Sequence, residues 1–115
     1  WQPVAEIAEL MRPEDETIYY RSLGNVFLGT MLPSYLNMWG IRTVVLSGFH
    51  LDWCIEQAAR ACRDMGYMPI VIGDACGCGR EQDDLPTLER LNTFFAPVIS
   101  TETAIDMLRS ARSGR

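Results

Sequence analysis

An α/β fold, three layers deep with a parallel sheet between two helical layers, is what this sequence predicts, and three observations predict it. Short apolar runs read as strands: Thr43-Val44-Val45-Leu46, Pro69-Ile70-Val71-Ile72 and Ala96-Pro97-Val98-Ile99. Between them apolar residues recur at three- and four-residue spacing, the period of a helix buried along one stripe. Glycines or hydroxyl residues punctuate the boundaries, as helix stops and caps do. Strands alternating with helices in this way build a parallel sheet covered on both faces.

Taken in order, Val4, Ile7, Ala8, Leu10 and Met11 fit a short amphipathic helix with Glu6 and Glu9 outside. Arg12-Pro13-Glu14-Asp15-Glu16 is a proline-marked polar loop. Thr17-Ile18-Tyr19-Tyr20 reads as a strand by its β-branched and aromatic content, and Ser22 to Asn25 as a turn. Thr30 can cap a helix that carries Leu32, Tyr35, Leu36 and Trp39 on one face, with Pro33 in its first turn and Gly40 as its stop.

Thr43–Leu46, apolar on both faces, reads as a fully buried strand. Ile55, Ala58, Ala59, Cys62 and Met65 then mark a helix, and Gly66 ends it before the next strand. This is a βαβ unit whose crossover is expected to be right-handed. Cys76 to Asp84 is a flexible polar loop. Leu88, Leu91, Phe94 and Phe95 form the stripe of a helix from Leu85 to Phe95. After the strand at 96–99, Ser100 or Thr101 caps a last helix through Ala104, Ile105 and Leu108, and Arg112 to Arg115 is a fraying tail.

Composition narrows the function classes. The 115 residues, 48% hydrophobic and 22% charged, suit one soluble domain with a single core. A net charge of −5 without a basic cluster argues against nucleic acid as a partner. No run approaches a membrane span and no secretory leader is visible, so neither a membrane nor export is expected. Four Cys on a helix end, a helix face and one loop read as reduced cytoplasmic thiols and not as a disulfide framework. Beginning at Trp1, the sequence is expected to follow a cleavage or a chain break.

One cysteine stands apart. Cys54 falls where the strand at 43–46 passes into a helix, at the carboxyl end of the strand, where open parallel sheets bind ligands. Unpaired helix N–H groups and the macrodipole favour a thiolate there and could hold an oxyanion formed when it attacks a carbonyl. The competing reading is a small buried residue at a strand–helix junction. His50, the single His, is either a substrate contact or half-buried packing. Cys76-Gly77-Cys78 lacks the spacing and the second ligand pair of a zinc site. Asp74 reads as a residue that fixes the loop after its strand.

Gly48-Phe49-His50-Leu51-Asp52-Trp53-Cys54-Ile55, then Ala58-Ala59, Gly66-Tyr67 and Asp74-Ala75, resembles the isochorismatase-like cysteine hydrolases, the superfamily of nicotinamidases and carbamoylsarcosine amidases. Phe27-Leu28-Gly29-Thr30 resembles the family's Phe-x-Gly-Thr turn. The resemblance implies a Rossmann-like three-layer sheet and a hydrolase that cleaves a C–N bond of a small amide or carbamoyl compound through a covalent thioester. In that mechanism Cys54 is the nucleophile, and the backbone N–H groups of Cys54 and His50 form the oxyanion hole. The resemblance also implies a non-proline cis peptide between Phe49 and His50, if the site is built to work. Phe27, Leu51 and Trp53 would line the substrate pocket, with plain core packing as the alternative. No cofactor or metal is implied by these residues.

Two departures from the family pattern matter. The supporting Lys lies six residues before the Phe of that turn, where this chain has Arg21. Arg keeps the charge but does not readily pass a proton. The base, an Asp, belongs to an N-terminal strand with no counterpart here. Residues 1–115 thus align with the C-terminal portion of one such domain, roughly three-fifths of it. The expectation is that a second chain or an N-terminal segment completes the sheet and supplies the Asp. The completed unit would be a homo-oligomer. The alternative is a non-catalytic, family-derived subunit retained for assembly.

Overall fold

The computed structural model describes residues 5–13 and 24–114. The strand expected over Thr17–Tyr20, and Arg21, lie outside the described residues. Among the described residues eight regular elements follow in order: α1 (Ala5–Ala8), α2 (Leu32–Met38), β1 (Thr43–Phe49), α3 (Glu56–Asp64), β2 (Met68–Gly77), α4 (Asp84–Phe94), β3 (Val98–Ile99) and α5 (Thr101–Ser113). A π-wound turn, Leu51–Ile55, leads directly into α3, and a 3₁₀ turn, Glu81–Asp83, precedes α4.

The three strands form a parallel sheet in the order β1-β2-β3, so the α/β class is observed. Thr43 to Leu46 pair in step with Met68 to Val71. Beyond that the register breaks: Gly48 pairs with Cys76 and Phe49 with Gly77, with Ile72 to Ala75 bulging out of the ladder. On its other side β2 pairs with β3, through Val71–Val98 and Ile72–Ile99. Residues 76 and 77, expected in a flexible loop, are therefore strand, held by hydrogen bonding to the end of β1.

Two helix stops read from glycine are built as expected. After α3, Gly66 takes φ +83° and donates to the Arg63 carbonyl, while the Tyr67 N–H reaches back to Cys62. After α2, Gly40 at φ +65° donates to Asn37, and Ile41 to Leu36. Both are the paired closing bonds of a left-handed helix end, which a Cβ would strain. At the start of α2, Met31 is the cap residue, but Thr30 Oγ1 accepts from the Leu32 N–H at 3.3 Å. At α5 the cap is Ser100, whose hydroxyl accepts from the Thr103 N–H.

The core has two parts. Leu46, Leu51, Ile55, Ala58, Ala59, Val71, Leu91 and Ala96 bury one face of the sheet beneath α3 and α4. Phe27, Leu36, Cys62 and Tyr67 form a second cluster on the far side of α3. There the Phe27 and Tyr67 rings stack 6.2 Å apart, and the Tyr67 hydroxyl donates to Asn37 Oδ1 at 3.0 Å.

Several expected core positions are not covered. β1 is buried on one face only: Val44 and Leu46 point inward, while Val45 is 49% and Phe49 79% exposed. Among the described residues β1 is an edge strand, and nothing lies over its outer face. Trp39, Met65, Phe94, Ile105 and Leu108 are likewise exposed, because each sits at a helix end or on a face with no neighbour. The N-terminal helix is a single exposed turn, and α5 runs to Ser113 instead of fraying from Arg112.

Candidate active site at the carboxyl end of the sheet

The end of β1 turns into the helix within a few residues. Gly48 takes φ +116°, a conformation that disfavours any side chain, and the Phe49–His50 peptide is cis, as the resemblance implies. His50 is extended, and its carbonyl accepts from both the Trp53 and Ile55 N–H groups at 3.1 Å. The second of these bonds spans five residues and winds Leu51–Ile55 as a π-turn. Such turns occur frequently at functional sites.

Cys54 lies inside this turn as a half-buried free thiol. It was expected at the helix start, and it belongs to the first turn of the helical segment. His50, Leu51 and Trp53 are brought together on the same turn, with His50 exposed and Trp53 49% exposed. The backbone N–H groups implied as the oxyanion hole, those of His50 and Cys54, thus belong to one short segment.

The other three thiols occupy different environments. Burial pushes the Cys62 thiol up to about 11. Burial also raises Cys76, against an opposing backbone bond with Gly48, and the Asp74 charge adds to the rise. Cys78 is raised by burial first, partly offset by its contact with Thr87.

Leu51 and Phe27, expected in the pocket or as plain core packing, are both buried in the core clusters. Leu51 has no exposed surface and packs in the main cluster, because the π-turn points it beneath the sheet. Phe27 is buried against Tyr67 in the second cluster and belongs to the packing around Cys62. Arg21 lies outside the described residues. Asp74 does fix a segment: its Oδ1 accepts from the Thr101 N–H and hydroxyl, both at 2.8 Å, anchoring the first turn of α5.

Three site neighbours escaped the sequence reading. Glu56, buried two residues after Cys54, accepts from Arg90 Nε and Nη2, both at 2.8 Å, and from Arg60 Nη2 at 2.9 Å. Those arginines hold its carboxyl below the usual range, chiefly through the Arg90 bonds. Thr87, also buried, donates to the Asp83 carbonyl and meets both Arg90 and Cys78. The Glu56–Arg60 spacing is a visible helix pair. Arg90 lies 34 residues away, and nothing in the sequence links it to Glu56.

The model of the isochorismatase domain matches residues 2–103. The chain belongs to the isochorismatase family. It is 35% identical over 108 residues to the uncharacterized isochorismatase family protein YddQ of Bacillus subtilis, covering 84% of this chain and 60% of YddQ. Among solved structures, an isochorismatase-like hydrolase from Alkaliphilus metalliredigens superposes with a TM-score of 0.75 at 25% identity, over 85% of this chain and 55% of that one. A pyrazinamidase/nicotinamidase from Streptococcus mutans gives 0.65 at 26% identity, over 69% of this chain and 44% of that one. The chain spans 60% of the length of the first curated relatives it matches. Among the described residues no helix is long and apolar enough to cross a membrane, and no group of three or more His, Cys, Asp or Glu could hold a metal ion.

Proposed function

We propose that this isochorismatase-family chain carries the nucleophile of a cysteine hydrolase acting on a C–N bond of a small amide or carbamoyl compound. The observation that carries the reading is the placement of Cys54. It is half-buried in a π-wound first turn at the carboxyl end of β1, and burial raises each of the other three thiols above the ordinary range. The likeness to a pyrazinamidase/nicotinamidase supports an amide as the substrate class.

In this reading the Cys54 thiolate attacks the carbonyl carbon, with the oxyanion facing the His50 and Cys54 N–H groups. The C–N bond breaks, the amine leaves with a proton, and a thioester remains. Water then attacks the thioester, releasing the acid and restoring the thiol. The base Asp comes from outside these residues, and Arg21 stands at the sequence position of the family's supporting cation.

A partner follows from the same reading. Either a second chain or a further segment of the same polypeptide adds a strand to the open edge of β1 and covers Val45 and Phe49. The completed unit then assembles as a homo-oligomer. A non-catalytic subunit is the second reading, favoured by Arg21 standing where the family has Lys in a chain with no Lys at all.

The test pairs labelling with turnover. In the protein, with any chain that co-purifies, iodoacetamide should modify Cys54 at least about tenfold faster than Cys62 near neutral pH. Ammonia release from nicotinamide, pyrazinamide and simple carbamoyl compounds should fall on the order of a thousandfold in Cys54→Ala. Equal labelling of the four thiols, or turnover surviving in Cys54→Ala, would overturn the hydrolase reading. Selective labelling without turnover of any amide would favour the assembly subunit.

A further inference from the structure

Glu56 occupies an unusual place. Its backbone N–H closes the π-turn onto the Leu51 carbonyl, and its side chain leaves that turn for α4. There Arg90 grips the carboxylate with two parallel bonds, the fork geometry that Lys cannot reproduce. Arg90 also reaches Thr87 at 3.5 Å, and Thr87 meets Cys78 Sγ at 3.7 Å just beyond the end of β2. The Cys78 N–H in turn donates to Asp84 Oδ1 at 2.7 Å. A chain of polar contacts thus ties the nucleophile turn, α4 and the end of β2 to one another.

We propose that Arg90 is a positioning residue for Cys54: by clamping Glu56 onto α4 it fixes the π-wound turn and keeps the Glu56 carboxylate neutralised. The proposal rests on Cys54 being the nucleophile. The charged and titratable groups at the near ends of the packed elements are His50 and Asp52 at the turn, Glu56 and Arg60 on α3, Asp84 and Arg90 on α4, and Asp74, Cys76 and Cys78 around the end of β2. Of these carboxylates, Glu56 alone is gripped by two arginines among the described residues. Released from Arg90, it would place less compensated negative charge two residues from the thiol, opposing thiolate formation.

The pH–rate profile of Cys54 alkylation by iodoacetamide, read by peptide mapping in the protein with any co-purifying chain, tests this. Arg90→Gln should move the profile to higher pH, slowing alkylation about threefold near neutral pH while the high-pH plateau stays within about twofold. Arg90→Lys, which keeps the charge without the fork, should fall between Arg90→Gln and the parent. Glu56→Gln should move the profile the opposite way, because Arg60 and Arg90 then face the turn without their carboxylate. A merely structural role would lower the thermal midpoint and leave the profile in place. If Arg90→Gln does not fold, Glu56→Gln decides alone. Unmoved profiles, or both variants moving in the same direction, would overturn the proposal. Should the parent Cys54 label no faster than Cys62, the hydrolase reading fails, while the paired profiles still decide the clamp.

Discussion

Cys54 and Cys62 belong to one continuous helical segment, eight residues apart, and the chain treats them in opposite ways. Cys62 has no exposed surface; Phe27, Leu36 and Tyr67 surround it, and burial pushes its thiol up to about 11. Cys54 sits in the π-wound turn beside exposed His50 and Trp53, at the rim of the sheet. Both are small, free thiols on a helix. The difference comes from what packs against each, and it teaches that position along a helix separates a structural cysteine from a candidate nucleophile.

The comparison breaks most visibly if the packing around Cys62 proves dispensable. Phe27→Ala should cost about 3–5 kcal/mol of stability, the usual loss for a buried aromatic truncated in a core. Denaturant unfolding measures it. A loss below about 1 kcal/mol, together with a change in KM for whichever amide is turned over, would return Phe27 to the substrate pocket and remove it from the core around Cys62.

A smaller effect concerns pH. The Cys62 thiol has a raised folded value, so folding favours its protonated form. That contribution is complete below the unfolded value of about 8.5 and is lost as pH rises toward about 11. Thermal midpoints should decline across this window, and Cys62→Ala should flatten the decline. An identical slope in the variant would show that other groups cause it.

The smallest effect sharpens the contrast between the covered and uncovered faces of β1. Val45→Thr should change the stability of the isolated chain by no more than about 0.5 kcal/mol, since nothing described covers that face. If a further strand covers this edge, as proposed above, the same substitution should cost more with that strand in place than in the isolated chain. Equal, small effects in both settings would mean that no partner covers Val45.

Much of the fold was legible because the signals are local. Gly40 and Gly66 end their helices with the closing bonds their lack of a side chain permits, and Ser100 caps α5 through its own hydroxyl. The apolar runs at 43–46, 69–72 and 96–99 gave the neighbouring parallel strands β1, β2 and β3. Cys54 was legible as a junction residue for the same reason. The extension of β2 to Gly77 was not, because Cys76-Gly77 looks like a loop until the end of β1 supplies its hydrogen-bonding partners.

The sequence by itself determined the stops of α2 and α3 at Gly40 and Gly66 and the start of α5 at Ser100, since glycines and caps act within a few residues. Only the tertiary structure decided which apolar residues are core, because burial depends on what arrives from elsewhere in the chain. Val44 and Val45 are chemically alike and adjacent, yet one faces the packed helices and the other faces outward. Leu51 is fully buried while Trp53, on the same turn, is half exposed, a division set by the π-winding. The Glu56–Arg90 clamp is likewise a product of packing: two helices brought together across 34 residues made one carboxylate and one guanidinium into a pair.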